Sequence, residues 1–423
     1  MARLKKELGL LQGMGLLATS LLGTGIFVVP ATAASLAGAS SLWAWVLLLA
    51  LVLPIAFTFA RLGRRYPHAG GAPHLIGLAF GARAERFTAF MFLAVLPVGL
   101  PAALNMAAGF WHALFVMEGG SLWAVQTATL LGVLLLGMRG ARSSGNLQLL
   151  IALAIVGLTL LIWWQGHISW REGWVPLPNV TELPPLASAL AVMFWCFVGL
   201  EAFAHMGEEF KNPRRDYPLA LLFGLLLAGC IYWAHSVAVL KFGLYGTPAK
   251  NGSAIPSLLA LLFGPSAKVA AAVLGYLSCF ASINIYLQGF ARLIWSMAEE
   301  GKLPKPLAKR SARGAPLRAL LCVVGVSLLA TSLSLWAGLS LDQLIRYANG
   351  NFVLVYLLSM LAGWRLLPGV GRYLAGVSSL LCLVVLLALA EQALYALLLG
   401  TGYLLLAALS CYRQRRQADV LTD

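Results

Sequence analysis

Long apolar runs without Asp, Glu, Lys or Arg dominate this sequence. A helix that crosses the hydrocarbon core of a bilayer needs roughly 20 such residues. The runs cover residues 8–60, 87–117, 119–138, 143–170, 183–200, 217–240, 269–291, 319–341, 347–364, 373–390 and 392–412. The first run is long enough for two helices, with a division expected at residues 38–41. The pattern therefore predicts an all-α membrane protein with twelve transmembrane helices.

The composition agrees with this class and excludes a soluble fold. Of the 423 residues, 60% are hydrophobic and only 11% are charged, and soluble domains carry about twice that share of charge. The six cysteines all lie in apolar runs, and none belongs to a C-x-x-C pair. We therefore expect no metal site, no disulfide framework and no cofactor.

The net charge of +15 could indicate a nucleic-acid-binding protein, but the distribution of basic residues excludes that function. With a cytoplasmic N-terminus, the twelve-helix topology places almost every Lys and Arg in a cytoplasmic segment. The exceptions are Arg171, Lys241, Lys250, Lys268 and Arg346. This is the positive-inside bias of proteins that cross a membrane many times. We expect both termini in the cytoplasm and the lipid bilayer as the partner.

Glu201 lies inside the apolar stretch 193–203. A carboxylate at bilayer depth is costly unless it faces a cavity or a partner, so it marks a functional region. Gly199, two residues earlier, weakens the helix at that point. Two interpretations of Glu201 stay open. It either takes part in proton coupling or gating, or it caps backbone N–H groups that the interrupted helix leaves free.

A second weak point lies in the first apolar run, at Gly23, Thr24 and Gly25. An unwound turn there frees backbone N–H groups, and the positive end of the half-helix that follows suits a carboxylate. The alternative is close packing of two helices through small residues. At the second break, unwound carbonyl groups could accept hydrogen bonds from an ammonium group.

The two breaks divide the chain into a predicted 5+5 inverted repeat. Each break opens a set of five helices, and an odd number of helices inverts the second set relative to the first. Such a pair of interrupted helices points to the binding site of a secondary transporter near the bilayer midplane. We assign residues 1–166 to the first repeat, residues 183–364 to the second, and residues 365–423 to two peripheral helices and a cytoplasmic tail.

Several motifs carry a family resemblance. They are GTGIF at residues 23–27, RRYPHAGG at 64–71, FVGLE at 197–201, EEFKNPRRDYP at 208–218 and MAEEGKLP at 297–304. Together they resemble the signatures of the amino acid–polyamine–organocation (APC) superfamily over essentially the whole chain. Within it, the sequence is most similar to bacterial exporters of methionine and branched-chain amino acids, which are proteins of the cell inner membrane.

The resemblance implies a leucine-transporter-like (LeuT-like) core with a substrate site between the two breaks. The substrate carboxylate would lie on the first break, and its ammonium group on backbone carbonyls of the second. Trp195 and Tyr286 match positions of aromatic gates, although packing is the more common role for a membrane aromatic. The implied site consists of Leu22, Gly23, Thr24, Gly25, Trp195, Phe197, Val198, Gly199 and Tyr286.

The residues of the expected pocket predict neutral, apolar substrates such as methionine, leucine, isoleucine and valine. Its segments supply Pro97, Val98, Phe197 and Ile285, and no carboxylate other than Glu201. A cationic substrate would need a partner there, because an unpaired buried charge is expensive.

The resemblance further implies secondary active export by proton antiport with alternating access. Glu201 is the expected proton carrier, and His205, four residues later on the same helix face, is its expected modulator. A proton-coupled importer or an exchanger of the same fold remains an alternative, and the sequence leaves a sodium site open. An ion channel is disfavoured because no filter-like repeat is present. No constellation of an intramembrane enzyme is evident either.

Overall fold

The computed structural model describes residues 4–23, 25–115, 119–311, 314–388 and 393–422. Within these residues the regular structure is helical, and the β pairing is one isolated bridge between Leu8 and Phe210. The first nine helices are α1 Leu10–Leu22, α2 Val29–Ala37, α3 Ser41–Arg65, α4 Gly71–Phe80, α5 Ala82–Leu93, α6 Leu96–His112, α7 Gly119–Met138, α8 Ala141–Gln165 and α9 Leu183–Met193. The others are α10 Leu200–Ala204, α11 Asp216–Lys241, α12 Pro248–Gly252, α13 Ala254–Phe263, α14 Ala267–Glu299, α15 Leu317–Trp336, α16 Leu341–Leu366, α17 Val370–Ala388 and α18 Leu394–Thr422.

Ten helical segments in the described residues are long and apolar enough to cross a membrane. Two of them join neighbouring helices: Val29–Arg65 contains α2 and α3, and Ala82–His112 contains α5 and α6. A 3₁₀ turn at Gly38–Ser40 separates α2 from α3, where the sequence predicts the division of the first run. The structure is therefore that of an all-α membrane protein.

Large apolar side chains cover the outside of these helices. Leu135 is 61% exposed, and Leu150 and Leu160 are each 64% exposed. Water would disfavour so much exposed apolar surface, whereas hydrocarbon chains of lipid accept it. The outer surface thus matches a bilayer as its surroundings.

The first predicted helix is interrupted. Helix α1 ends at Leu22 and α2 begins at Val29, with a turn between them. Thr24 lies outside the described residues. A Cβ atom added to Gly23 would collide with Ser282, and one added to Gly25 would lie 2.9 Å from Cys196 Sγ. Only glycine fits at either position because neighbouring helices approach the turn so closely.

The second break follows α9. The chain continues as a 3₁₀ turn over Phe194–Phe197, becomes extended at Val198 and reverses at Gly199, which has φ of +143°. This φ favours glycine, and the five-residue helix α10 begins at the next residue. A Cβ atom on Gly199 would lie 2.8 Å from Ser20 Oγ. The two breaks therefore lie against each other in the protein interior.

Helices α1, α8, α11 and α14 surround the breaks. Thr19 Oγ1 on α1 lies 2.8 Å from Gln148 Oε1 on α8. Ser282 Oγ on α14 donates a 2.7 Å hydrogen bond to the Ser20 carbonyl on α1. Polar side chains from separate helices thus satisfy backbone groups that bilayer lipid could not satisfy.

Candidate functional site

A small cavity of about 50 Å³ lies between the two breaks. Six segments contribute to its wall: α1, the turn after it, α6, the second break, α14 and α16. The lining residues are Ser20, Leu21, Gly25, Val95, Gly99, Leu100, Ala103, Trp195, Val198, Ser282, Ile283, Tyr286, Phe290 and Phe352. Typical ligand pockets are larger, roughly 300–1,000 Å³. An amino acid therefore requires the cavity to widen.

The wall of this cavity is apolar apart from a few hydroxyl groups. None of the described residues that line it carries a charge. Ser20 Oγ is buried and has no hydrogen-bond partner among the described residues, so it is available to a ligand. An apolar wall with a few polar groups suits a small molecule that has a polar head and an uncharged side chain.

Helix α6 turns one face toward the cavity. Val95, immediately before the helix, lines the cavity together with Gly99 and Ala103. These residues follow one another at intervals of four, which places them on one face of a helix. Pro97 and Val98, which the sequence suggests as pocket residues, are not among the lining residues. Ile285 is not among them either, whereas Ile283 and Tyr286 on the same helix line the cavity.

The first break has its backbone groups largely satisfied from within the protein. Gly23 N–H donates to the Thr19 carbonyl at 2.9 Å, and Gly25 N–H donates to the Leu22 carbonyl at 3.1 Å. Tyr232 Oη on α11 donates to the Leu21 carbonyl at 2.8 Å. The sequence analysis expects free N–H groups here. In this conformation the N–H groups of both glycines already have acceptors.

The second break is held by a tyrosine and a carboxylate. Tyr356 Oη on α16 accepts hydrogen bonds from Gly199 N–H (3.1 Å) and Leu200 N–H (3.2 Å), and donates to the Phe197 carbonyl (3.2 Å). Glu201 Oε2 accepts a further bond from Gly199 N–H at 3.1 Å. The Phe197 carbonyl, expected to meet an ammonium group, is therefore already occupied, whereas Val198 lines the cavity.

Glu201 also reaches the cavity through Tyr286. It is fully buried, and its Oε1 accepts a 2.8 Å hydrogen bond from Tyr286 Oη. The Tyr286 ring lies 5.5 Å from the ring of Phe352, and Trp195 packs edge-on against Phe352 at 6.2 Å. Glu201 thus accepts a hydrogen bond from a backbone N–H of the break, as the capping interpretation expects, and it also bonds to an aromatic residue of the cavity wall. Its role in proton coupling or gating stays a prediction.

His205 has a different environment from the one expected. It follows the last residue of α10 and is fully buried, with its Nδ1 2.9 Å from the Ala69 carbonyl and its ring stacked on Phe92 at 5.0 Å. Among the described residues no hydrogen bond joins it to Glu201. The side chain instead connects the end of the second break to the loop before α4.

A cluster near that loop contains two further histidines. His68 and His74 stack with ring centroids 3.7 Å apart, and their nitrogen atoms and a Glu300 oxygen lie within 4.8 Å of one another. The sequence analysis expects no metal site, yet this grouping has the ligand types for one. Lys302 already pairs with Glu300, and burial together with the neighbouring His68 lowers the pKa of His74 to about 4. The cluster therefore has a fixed cation and a neutral imidazole.

The sequence analysis identifies part of the cavity wall. Gly25, Trp195, Val198 and Tyr286 line it as expected. Leu22, Gly23, Phe197 and Gly199 form the adjoining backbone rather than the wall. It gives no indication of three hydroxyl groups that satisfy backbone carbonyls at the breaks, those of Tyr232, Ser282 and Tyr356. It also does not indicate two residues of the wall, Ser20 and Phe352.

Comparison with known proteins defines the family. The sequence matches the amino acid permease family over residues 8–367. It is 52% identical over 406 residues to the L-methionine/branched-chain amino acid exporter YjeH of Escherichia coli (strain K12), covering 96% of this chain and 97% of that protein.

More distant relatives match over most of their length. An uncharacterized amino acid permease of Bacillus subtilis (strain 168), YecA, is 29% identical over 421 residues, or 95% of each chain. The cadaverine/lysine antiporter of Escherichia coli (strain K12) is 26% identical over 342 residues, covering 75% of this chain and 72% of that protein. The APC resemblance predicted from the motifs is thereby confirmed. The chain belongs to the amino acid permease family.

Proposed function

We propose that this protein is a secondary active transporter that exports methionine and branched-chain amino acids across the bacterial inner membrane. The observation that carries the proposal is the uncharged, apolar cavity between two interrupted helices. A 52% identical relative is an L-methionine/branched-chain amino acid exporter, which supports both the substrate class and the direction. The positive-inside distribution of Lys and Arg supports cytoplasmic termini.

The proposed fold is a LeuT-like core of ten helices followed by two peripheral helices. Helices α1 and α2 form the broken first helix, and α9 and α10 form the broken sixth. The apolar part of α18, Leu394–Leu409, is the twelfth. Residues 1–166 and 183–364 are then the two inverted repeats, and residues 365–423 hold the peripheral helices. Two breaks in contact at the protein centre support this arrangement.

The substrate would lie with its polar head at the breaks and its side chain against α6 and α14. Movement of α2 away from α1 would free the Gly25 N–H, and Ser20 Oγ is already without a partner, so both could bind the carboxylate. The Val198 carbonyl is the proposed acceptor for the ammonium group, because Val198 lines the cavity at the second break. Gly99, Ala103 and Ile283 then provide apolar surface for the side chain of methionine or leucine.

Glu201 is the proposed proton site. When ionised, it accepts hydrogen bonds from both Gly199 N–H and Tyr286 O–H, and bonds to a charged acceptor are the stronger kind. A proton on Glu201 weakens both bonds. It would thereby loosen the second break and release Tyr286 toward the cavity, which couples proton binding to the shape of the substrate site.

Exchange of one amino acid for another is the second candidate function. It is favoured by the 26% identical cadaverine/lysine antiporter. The two candidates differ in what drives transport, because an exchanger needs a counter-substrate whereas a proton antiporter needs a pH gradient.

Flux into proteoliposomes tests the proposed function. We expect uptake of labelled methionine and leucine into vesicles that are acidic inside, with no amino acid loaded. Arginine and putrescine should give flux at the background level, because the cavity offers no free carboxylate for a cationic side chain. Flux of arginine above that of leucine would overturn the substrate assignment. Leucine uptake that requires an internal amino acid would favour exchange.

A further inference from the structure

A second, strongly basic cavity of about 590 Å³ lies at the end of α3, on the side where the positive-inside bias predicts the cytoplasm. Its wall contains Lys6, Arg64, Arg65, Lys211, Arg214 and Arg215. A smaller cavity beside it shares Arg64, Arg65 and Arg214 and adds Arg61, Leu367 and Pro368. The transport mechanism proposed above uses none of these residues.

Among the residues that the structure describes, no ion pair joins a cation of this basic cavity to a carboxylate. Two acidic residues that precede Lys211 in the sequence are engaged elsewhere. Glu208 accepts hydrogen bonds from the backbone of Leu4 and Ala69, and Glu209 pairs with Arg292. Like charges gathered in one concave surface repel one another, so an anion bound among them relieves that repulsion.

Three separate segments supply these cations. Lys6 precedes α1, Arg64 and Arg65 end α3, and Lys211 to Arg215 connect the second break to α11. An anion in the basic cavity would bridge the cytoplasmic ends of these segments. The segment of Lys6 precedes α1 of the first interrupted helix, and residues 211–215 follow α10 of the second.

We propose that the basic cavity binds the phosphate of an anionic phospholipid headgroup, such as that of phosphatidylglycerol. Arginine binds phosphate oxygens in a bidentate manner, and the wall offers four arginines. Basic pockets between membrane helices on the cytoplasmic side are a recognised form of lipid-headgroup site.

The position of the cavity favours a lipid over free phosphate. Arg64 and Arg65 are the last residues of a membrane-spanning helix, and Arg61 lies one turn closer to the bilayer. Leu367 and Pro368 lie between two further apolar helices, α16 and α17. The arginines of the basic cavity thus lie beside the apolar residues Leu367 and Pro368, at the ends of the membrane-spanning helices α3 and α16. This arrangement suits a molecule that carries both a phosphate and acyl chains.

Lipid binding to the purified full-length protein tests this site. The variant replaces Arg64, Arg65 and Arg214 by Gln. The control replaces Arg83, Arg86 and Arg139 by Gln; these residues are also exposed and cytoplasmic but lie outside both basic cavities. Native mass spectrometry with phosphatidylglycerol should show at least a tenfold loss of the tightest binding in the variant, and wild-type binding in the control. Phosphatidylcholine should bind weakly to all three proteins.

Two outcomes would overturn the proposal. If the control loses as much phosphatidylglycerol binding as the variant, the loss reflects general surface charge and not this cavity. If millimolar inorganic phosphate displaces the lipid, the cavity binds free anions and not a lipid headgroup. A measurement on the wild-type protein avoids any folding defect of the variant. Photo-crosslinking with a phosphatidylglycerol analogue should label residues 61–65 and 211–215. Labelling confined to other segments would also contradict the assignment.

Discussion

The two interrupted helices differ in how their backbone groups are satisfied. At the first break the backbone N–H groups of Gly23 and Gly25 donate to carbonyls of the same segment. The neutral hydroxyl groups of Tyr232 and Ser282 donate hydrogen bonds to other carbonyls there. At the second break a carboxylate of the same segment, Glu201, takes part. A neutral hydroxyl holds its bonds at any physiological pH, whereas a carboxylate changes its bonding when it takes a proton. We infer that the first break is the fixed binding element and the second is the switch.

The largest expected effect comes from filling the space at the first break. Gly23→Leu or Gly25→Leu should abolish transport, because a side chain at either position collides with Ser282 or with Cys196 and Tyr232. The measurement is methionine flux in proteoliposomes. Gly157→Leu, on α8 with open space around its Cβ, should transport normally. Full activity of both break variants would remove the first break from the site.

A smaller effect is expected where the substrate side chain lies. Ala103→Leu narrows the cavity on α6, so it should shift preference from leucine and methionine toward valine by about tenfold, the usual effect of a methylene group in a tight pocket. Competition between labelled leucine and unlabelled valine measures the shift. Ala124→Leu, an exposed position on α7, serves as the control. An unchanged ratio would place the side chain elsewhere.

The tyrosines that cover the two breaks allow a direct comparison of stability. Tyr356→Phe leaves Leu200 N–H and the Phe197 carbonyl without their shared partner, which should cost about 1–3 kcal/mol. Tyr232→Phe removes a donor from the Leu21 and Leu22 carbonyls, and the Leu22 carbonyl keeps two backbone N–H donors. The expected loss of stability is therefore about 1 kcal/mol. Thermal unfolding in detergent should rank Tyr356→Phe as the less stable variant. The reverse order would mean that the first break is the weaker element.

No effect on coupling is expected from the histidine cluster of His68 and His74. Because the pKa of His74 is about 4, its imidazole stays neutral throughout a gradient between pH 5.5 and 7.5 and does not bind and release a coupling proton. His74→Asn should leave pH-driven flux unchanged. If this variant loses pH-driven flux but retains leucine exchange, the proton site lies in the histidine cluster and not at Glu201.

The same pKa predicts a small stability effect in acid. The ordinary histidine pKa is 6.5, so the unfolded chain binds more protons than the folded chain between pH 6.5 and about 4. Wild-type stability should therefore fall as the pH drops through this window, and His74→Asn should lose less. Unfolding midpoints at several pH values provide the comparison, and parallel curves would contradict it.

The sequence predicts where the helices break better than it predicts what surrounds the breaks. Glycine weakens a helix locally and a lone carboxylate stands out in an apolar run, so Gly23, Gly25, Gly199 and Glu201 are visible without a structure. Helix α6 is apolar around most of its circumference, with Asn105 and His112 as its polar exceptions, so its sequence gives little indication of which face meets the cavity. The choice of Pro97 and Val98 over Gly99 and Ala103 failed for that reason.

The hydroxyl groups that cover the breaks are also hidden in the sequence. Tyr356 lies 157 residues from Gly199 along the chain, and Tyr232 is one of many aromatic residues in apolar helices. Tyr232 and Tyr356 can be recognised as hydrogen-bond partners of the breaks only from the packing of α11 and α16. His205 shows the opposite error. Its spacing of four from Glu201 suggests a pair, yet α10 ends before it and its ring turns toward Ala69.

Glu201→Gln is the most direct test of the second break as a proton switch. Gln keeps a carbonyl oxygen for Gly199 N–H but cannot bind and release the proton. Transport by this variant should be measured in vesicles under an imposed pH gradient and, separately, by exchange of leucine at equal pH. The account predicts loss of pH-driven flux with leucine exchange retained. Unchanged pH-driven flux in Glu201→Gln would contradict it and leave Glu201 as a cap on the broken backbone.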